Sequence, residues 1–352
     1  MNTMKAYVLK KIGEISLCEV PIPQINEDEV LVKVKAAGIC GSDIPRIFST
    51  GAHIHPIIPG HEFAGEVADS SDKKLIGKRV GIFPLIPCMQ CECCKNKSYE
   101  MCRNYSYLGS RRDGGFAEYV AVPKWNLIEL PDSVSYKSAA MLEPIAVAAH
   151  AIRRALQEKE YNRESVAIVS GMGTIGLLAA YILKIEGFEK VFAFGNKDIQ
   201  RTQAEKIGIF GDSFINVNKP DLNKVIFDNL MKNGADFVFE CVGNNASSSL
   251  AVSLAAPGGV VMFVGNPHSD MTFPRDVYWK ILRNELKVLG TWNSSFTKEK
   301  DDDWDYAIKL IAKGEFMLQK LITHEYALSD LMDGIDIMKD KSEPYIKVMG
   351  VF

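Results

Sequence analysis

Nowhere in the 352 residues is there a run of 18 apolar side chains, so no segment reads as a membrane-spanning helix. Neither sign of charge is in excess. Forty-one basic against 44 acidic residues leave a net charge of −3, which excludes the electrostatic footprint of a nucleic-acid or anionic-membrane binder. Internal repeats and low-complexity segments are also missing. The opening Met1–Val8 has no apolar signal-peptide core, so a cytoplasmic location is expected. What remains, 47% hydrophobic and 24% charged, is an ordinary globular composition, in a chain long enough for two domains.

Cysteine is unevenly spread. Five of the eight fall in Cys88-x2-Cys91-x2-Cys94-x7-Cys102, with Cys93 inside the run. In a reducing compartment such spacing indicates a metal site rather than a disulfide framework. Four thiolates closing a tetrahedron around Zn²⁺ at about 2.3 Å leave no open position, so this site holds a loop and does not catalyse. Free or disulfide-linked cysteines are the alternative.

The first 140 or so residues are rich in glycine, proline and short alternating runs such as Glu29-Val-Leu-Val-Lys-Val-Lys35, which predict antiparallel strands. From about Ser165 the pattern changes. Val166–Ser170 is a compact apolar strand, Gly171-Met-Gly-Thr-Ile-Gly176 follows at once, and 177–184 reads as an apolar helix. Further strands are expected at Val191–Phe194, Phe214–Val217, Asp236–Cys241, Gly259–Val264 and Leu286–Gly290. Six strands alternating with helices give an α/β fold, a doubly wound six-stranded parallel sheet. Beyond Trp292 come an acidic patch at Asp301–Asp303, a helix near Trp304–Lys313 and a closing strand near Ile346–Val351. This tail is expected to rejoin the first domain.

The glycine motif stands between a strand and a helix, where a dinucleotide diphosphate needs it. Gly171 allows the turn, Gly173 lets backbone approach the pyrophosphate, and Gly176 allows close packing. Thr174 and Ile175 open the helix whose N–H groups would face the phosphates. An acid normally ends the second strand and binds the adenosine ribose. Here that place holds Gly195-Asn196-Lys197, with Arg201 beyond, which suits a 2′-phosphate and favours NADP(H) over NAD(H). Alternatively Asp198, one turn later, serves the ribose.

A second, catalytic metal is argued from three places: Cys40 with Ser42, His61 with Glu62, and Glu143. A zinc site that does chemistry takes about three protein ligands and keeps one position open. Cys40, His61 and one glutamate supply that set, and zinc lowers the pKa of a bound alcohol so that hydride can leave. Ser42 is placed to relay the proton. Singly, each residue also has an ordinary structural explanation.

Taken together, Gly38-Ile-Cys-Gly-Ser-Asp43, Gly60-His-Glu62, the cysteine run and the glycine loop resemble the zinc-containing medium-chain alcohol and polyol dehydrogenases. The resemblance spans the whole chain. It implies a GroES-like β-rich catalytic domain, 1–144 with 292–352 and a zinc lobe at 88–102, around a Rossmann domain at 145–291. It further implies two zinc ions per chain. Cys40, His61 and Glu143 would hold the catalytic one, with Glu62 as alternative, and Cys88, Cys91, Cys94 and Cys102 the structural one. A homodimer or homotetramer is expected.

The segments Cys40–Phe48, Gly51–His53, Gly109–Tyr119 and Lys280–Leu286 resemble the family's sugar-alcohol-phosphate branch. This implies oxidation of a galactitol 1-phosphate-like substrate to a ketose phosphate. Arg46, Arg111 and Arg112 are the candidate phosphate ligands, with surface ion pairs or subunit contacts as the alternative. An unphosphorylated polyol such as sorbitol, or a secondary alcohol, is the alternative substrate. A non-catalytic zinc-stabilised binding protein is disfavoured by the complete Cys40/His61/Glu143 set. Pro45 stands where many relatives carry a relay histidine.

Overall fold

The computed structural model describes residues 3–219, 223–267 and 269–352. They form two compact units, Met1–Glu143 with Ser295–Phe352, and Pro144–Ser294.

In the first unit the strand Glu29–Ile39 is central. Its alternation is resolved as expected from period-2 side chains: Val30, Val32 and Val34 point into the core while Lys33 faces solvent. It pairs antiparallel with Glu62–Ser70, with Tyr119–Pro123, and near its C-terminal end with Lys347–Val351. This pairing positions the chemistry. Gly38 lies opposite Glu62 and Ile39 opposite Val348, so Cys40, Glu62 and Lys347 meet at one end of the sheet. Glycine at 38 leaves space for this meeting: a Cβ there would lie 2.3 Å from Glu62 Oε2 and 2.7 Å from Lys347 Cε, so the ion pair would have to shift.

The tail is bound into this unit by aromatic packing. Phe83 meets Phe296 and Trp304 at centroid separations of 4.7 and 5.3 Å, and Trp125 packs against Phe83 and Phe296. The tail helix runs Asp303–Gln319, six residues past the expected end, across a non-helical Gly314. The acidic run before it serves backbone satisfaction. Asp302 caps the helix by accepting the N–H groups of Trp304 and Asp305, and Asp303 accepts that of Ser295. The closing strand is Lys347–Val351.

The second unit is a six-stranded, all-parallel sheet. Its spatial order is Phe214–Asn216, Lys190–Gly195, Val166–Ser170, Ala235–Glu240, Ala255–Phe263, Lys287–Gly290. In chain order this is 3-2-1-4-5-6, with the topological switch point between Val166–Ser170 and Ala235–Glu240, where open α/β sheets bind ligands. Among the described residues no helix is long and apolar enough to cross a membrane.

Trp304 is 1% exposed in the aromatic cluster. Trp304→Ala is expected to destabilise the first unit by about 3–5 kcal/mol, read as a lower denaturation midpoint. An unchanged midpoint would show that the tail is not held by this packing.

Candidate active site

Ligand atoms of Cys40, His61 and Glu62 all lie within 4.8 Å of one another. The three arrive from adjacent strand ends, Cys40 just after Ile39 and His61 just before the strand that Glu62 opens. His61 and Glu62 are buried at 4% and 2% exposure. A thiolate, an imidazole and a carboxylate are a donor set that zinc accepts, and three donors leave a fourth position open.

The surroundings hold these donors in place. Asp43, fully buried, accepts the Cys40 N–H at 2.9 Å and stands 3.3 Å from His61 Nδ1. Its carboxylate also takes Arg46 Nη1 at 2.5 Å. Burial opposes the charge on Asp43, yet His61 and Arg46 outweigh it and hold its pKa at about 2. Burial likewise opposes a charged His61, and the Asp43 carboxylate with Cys40 lifts the imidazole well above the usual histidine range. On the other side Lys347 Nζ donates to Glu62 Oε2 and, at 3.2 Å, to the Ile39 carbonyl. Burial works against its ammonium, but Glu62 raises the pKa nonetheless.

Glu143 is not a member of the compact group. It is buried beside it, with Tyr107 OH donating to Oε1 at 3.4 Å. Burial, assisted by the Glu62 charge, pushes its pKa to about 7 against the pull of His61 and Lys347. The Tyr107 and His61 rings are tilted by 59° with centroids 5.8 Å apart. Ser42 Oγ donates to Cys40 Sγ at 3.3 Å. Asp43, Tyr107 and Lys347 carry no signal in a sequence reading built on ligand motifs, although Asp43 stands inside one.

The cysteine run closes on itself. Cys88, Cys91, Cys94 and Cys102 sulfurs lie within 4.8 Å of one another, with Cys91–Cys94, Cys91–Cys102 and Cys88–Cys94 at 3.5, 3.8 and 3.9 Å. A regular tetrahedron with 2.3 Å Zn–S bonds has edges of about 3.8 Å, so the four sulfurs fit one zinc ion. Cys93 is outside the group, and all eight cysteines are unbridged.

In the second unit the glycine loop has the geometry its role demands. Gly171 adopts φ +94, and a Cβ at Gly176 would lie 1.9 Å from the Gly171 carbonyl oxygen. Gly173 has nothing within 4 Å of an added Cβ, which leaves its backbone open to a diphosphate, and Thr174 starts the helix Thr174–Ile185. Ile175 lies in its first turn.

Gly195 ends its strand where a Cβ would crowd the Phe214 ring at 2.6 Å and, at 2.7 Å, Gln200 Oε1, which accepts the Asn196 and Lys197 N–H groups. Beside Gly195 in register is Asn216, and it lines a cavity of about 380 Å³ with Asp198, Arg201, Asp212, Lys219 and Asn223. Arg201 is already engaged. It donates to the Gly211 and Phe214 carbonyls and lies over the Phe214 ring at 4.8 Å.

Comparison with known proteins agrees with this geometry. The profile described as "Alcohol dehydrogenase GroES-like domain" matches residues 26–132, and that described as "Zinc-binding dehydrogenase" matches 174–313. Galactitol 1-phosphate 5-dehydrogenase of Escherichia coli K12 is 35% identical over 328 residues, covering 91% of this chain and 92% of that one. The chain belongs to the zinc-binding alcohol dehydrogenase family. Sorbitol dehydrogenase of Bacillus subtilis is 32% identical, covering 99% of this chain and 97% of the other. A zinc-binding dehydrogenase from Sinorhizobium meliloti, solved with NADP, superposes with TM-score 0.88 at 28% identity and full coverage of both chains. This member is accordingly an oxidoreductase of the alcohol and polyol class, with the α/β fold expected from its sequence.

The sulfur geometry leads to a stoichiometric expectation. Zinc analysis of the purified protein should give two ions per chain, Cys94→Ser should lose one together with thermal stability, and Cys93→Ser should keep both. Loss of zinc in Cys93→Ser would displace the assigned tetrad.

Proposed function

We propose that this enzyme oxidises a secondary alcohol of an acyclic sugar-alcohol phosphate, of the galactitol 1-phosphate type, to a ketose phosphate such as tagatose 6-phosphate, with NADP⁺ as the preferred hydride acceptor. The observation that carries the reaction is the compact Cys40/His61/Glu62 group, its imidazole backed by Asp43 and its carboxylate by Lys347. Zinc held there supplies a Lewis acid that favours the alcohol's deprotonated form. The chain's own residues do the rest. Asp43 beside Nδ1 would orient the imidazole with Nε2 free to hold the zinc, and Lys347 would orient Glu62 as the carboxylate donor, with Glu143 the alternative. Ser42, whose hydroxyl donates to Cys40 Sγ, would relay the alcohol proton by taking it while passing its own proton on toward solvent, and a bound nicotinamide would supply the hydride acceptor.

Cofactor choice follows from charge. Gly195 removes the ribose-binding carboxylate, while Lys197 and Lys219 supply cations near that strand end. In the substrate site Arg46 and Arg111 are the cations proposed for the phosphate. Arg112 is set aside because its guanidinium pairs with Glu29. Sorbitol-type substrates form the second reading, supported by the likeness to sorbitol dehydrogenase.

A homodimer is proposed through the second unit. The edge strand Lys287–Gly290 exposes Val288, and the helix Arg275–Arg283 exposes Tyr278, Trp279 and Leu282. A second copy related by a two-fold axis would pair that edge and cover these side chains. A cytoplasmic setting accords with eight unbridged cysteines.

Turnover is read at 340 nm with zinc-loaded protein, either cofactor, and paired polyols and polyol phosphates. The highest kcat/KM is expected with a polyol phosphate and NADP⁺, and Cys40→Ser should abolish activity while the protein stays folded. Failure to oxidise any polyol or polyol phosphate would reject the reading. Leu282→Glu combined with Trp279→Glu should shift the light-scattering mass to that of one chain, and an unchanged mass would reject the interface.

A further inference from the structure

Two guanidinium groups and an imidazole from separate segments come together near the Cys40/His61 group. Arg46 stands on the helix Asp43–Phe48, His53 on the loop that follows, and Arg111 on the turn before Gly114. The loop and turn are tied together, because the His53 N–H donates to the Ser110 carbonyl at 3.2 Å. Partial burial and then the charges of Arg111 and Arg46 lower the His53 pKa, as expected where like charges converge.

Counter-charge is short. Asp43 is shared between Arg46 and His61, and Asp113 accepts the Ile58 N–H. Among the described residues neither His53 nor Arg111 has an ion-pair partner, and Arg111 Nε is buried without a hydrogen-bond acceptor. The Arg111 guanidinium is instead supported from below by the Tyr105 ring at 4.6 Å. Two lines connect this cluster to the reacting end. One is Arg46–Asp43–His61, and the other runs from Arg111 over Tyr105 to Tyr107 at 6.3 Å and on to His61 at 5.8 Å.

We infer that His53 is the third member, with Arg46 and Arg111, of a subsite for the terminal phosphate of the substrate, and that it sets the preference for phosphorylated over free polyols. The inference rests on the polyol-dehydrogenase reading above. A phosphate dianion supplies the charge that the cluster lacks, and guanidinium N–H groups grip its oxygens in pairs. His53 is the exposed, adjustable member: its neutral ring already has one N–H to donate, and the charge of a nearby dianion would favour uptake of a second proton from solvent.

The test uses zinc-loaded full-length protein and the variants His53→Gln, Arg111→Gln and, as control, Arg112→Gln. Two readouts are taken, the ratio of kcat/KM for galactitol 1-phosphate to that for galactitol, and calorimetric binding of inorganic phosphate. His53→Gln and Arg111→Gln should each lower the ratio at least tenfold, mainly through KM, and weaken phosphate binding, with Arg112→Gln matching the native protein. A native preference for the free polyol, or an unchanged ratio in both variants, would overturn the subsite and leave the dehydrogenase reading intact. If neither polyol is oxidised, that reading fails. The phosphate titration then decides alone: weakened binding in both variants supports the subsite, and unchanged binding overturns it.

Discussion

Four ionisable side chains almost closed to solvent, Asp43, His61, Glu62 and Lys347, share one end of the first unit's sheet. Each would cost several kcal/mol to bury alone. They are tolerated because each charge faces an opposite one. Asp43 lies between His61 and Arg46, and Lys347 reaches Glu62 across 285 positions of sequence. The closing strand therefore does more than complete a sheet. Without Lys347 the Glu62 carboxylate would be left buried and unpaired, and the ligand set would lose its orientation. The pKa directions are consequences of the same constraint: at Asp43, His61 and Lys347 pairing overrides burial, and at Glu143, farther from the cations, burial prevails.

The nucleotide-binding unit solves its problem with almost no charge. Its loop works by absence of side chains, at Gly171 for the turn and at Gly176 for contact with the loop carbonyl. One buried carboxylate does organise the switch point. Glu240 Oε1 accepts the N–H groups of Val242 and Gly243 and the Ser247 hydroxyl, while its carbonyl accepts those of Val264 and Gly265. The two loops after the fourth and fifth strands are thus pinned by one residue, and a Cβ at Gly243 would lie 1.9 Å from the Asn266 carbonyl oxygen.

What could be read from the sequence was local. Val166–Ser170 appears with its expected bounds, and most other parallel strands lie within a residue or two of theirs, because apolar runs bounded by turn residues encode them directly. The Gly259–Val264 expectation began late, since Ala255–Gly258 has no strand-like pattern yet its first residue pairs with Ala235. Within the acidic patch at 301–303, Asp302 is the helix cap, a role that depends on where the helix starts. The partnership of Lys347 with Glu62 was beyond reach, because it is created by strand register. So was the placing of Glu62, ahead of Glu143, with Cys40 and His61. Both glutamates are plausible ligands by type, and only the pairing of Gly38 with Glu62 brings one of them to the sheet end.

Arginine shows the same limit most clearly. Arg111 and Arg112 are neighbours with equal claims by sequence, yet Arg112 pairs with Glu29, whereas among the described residues Arg111 has no carboxylate partner and lies over the Tyr105 ring. Arg201, which by sequence suited a 2′-phosphate, is held by two carbonyls and an aromatic ring. A cation marks an anion site only when the fold leaves its charge uncompensated, and compensation is a tertiary property. By that criterion Arg111 and its neighbours are the stronger candidates for the proposed phosphate site, since Arg111 Nε is buried without an acceptor. A bound phosphate would complete an electrostatic arrangement that the chain alone leaves open.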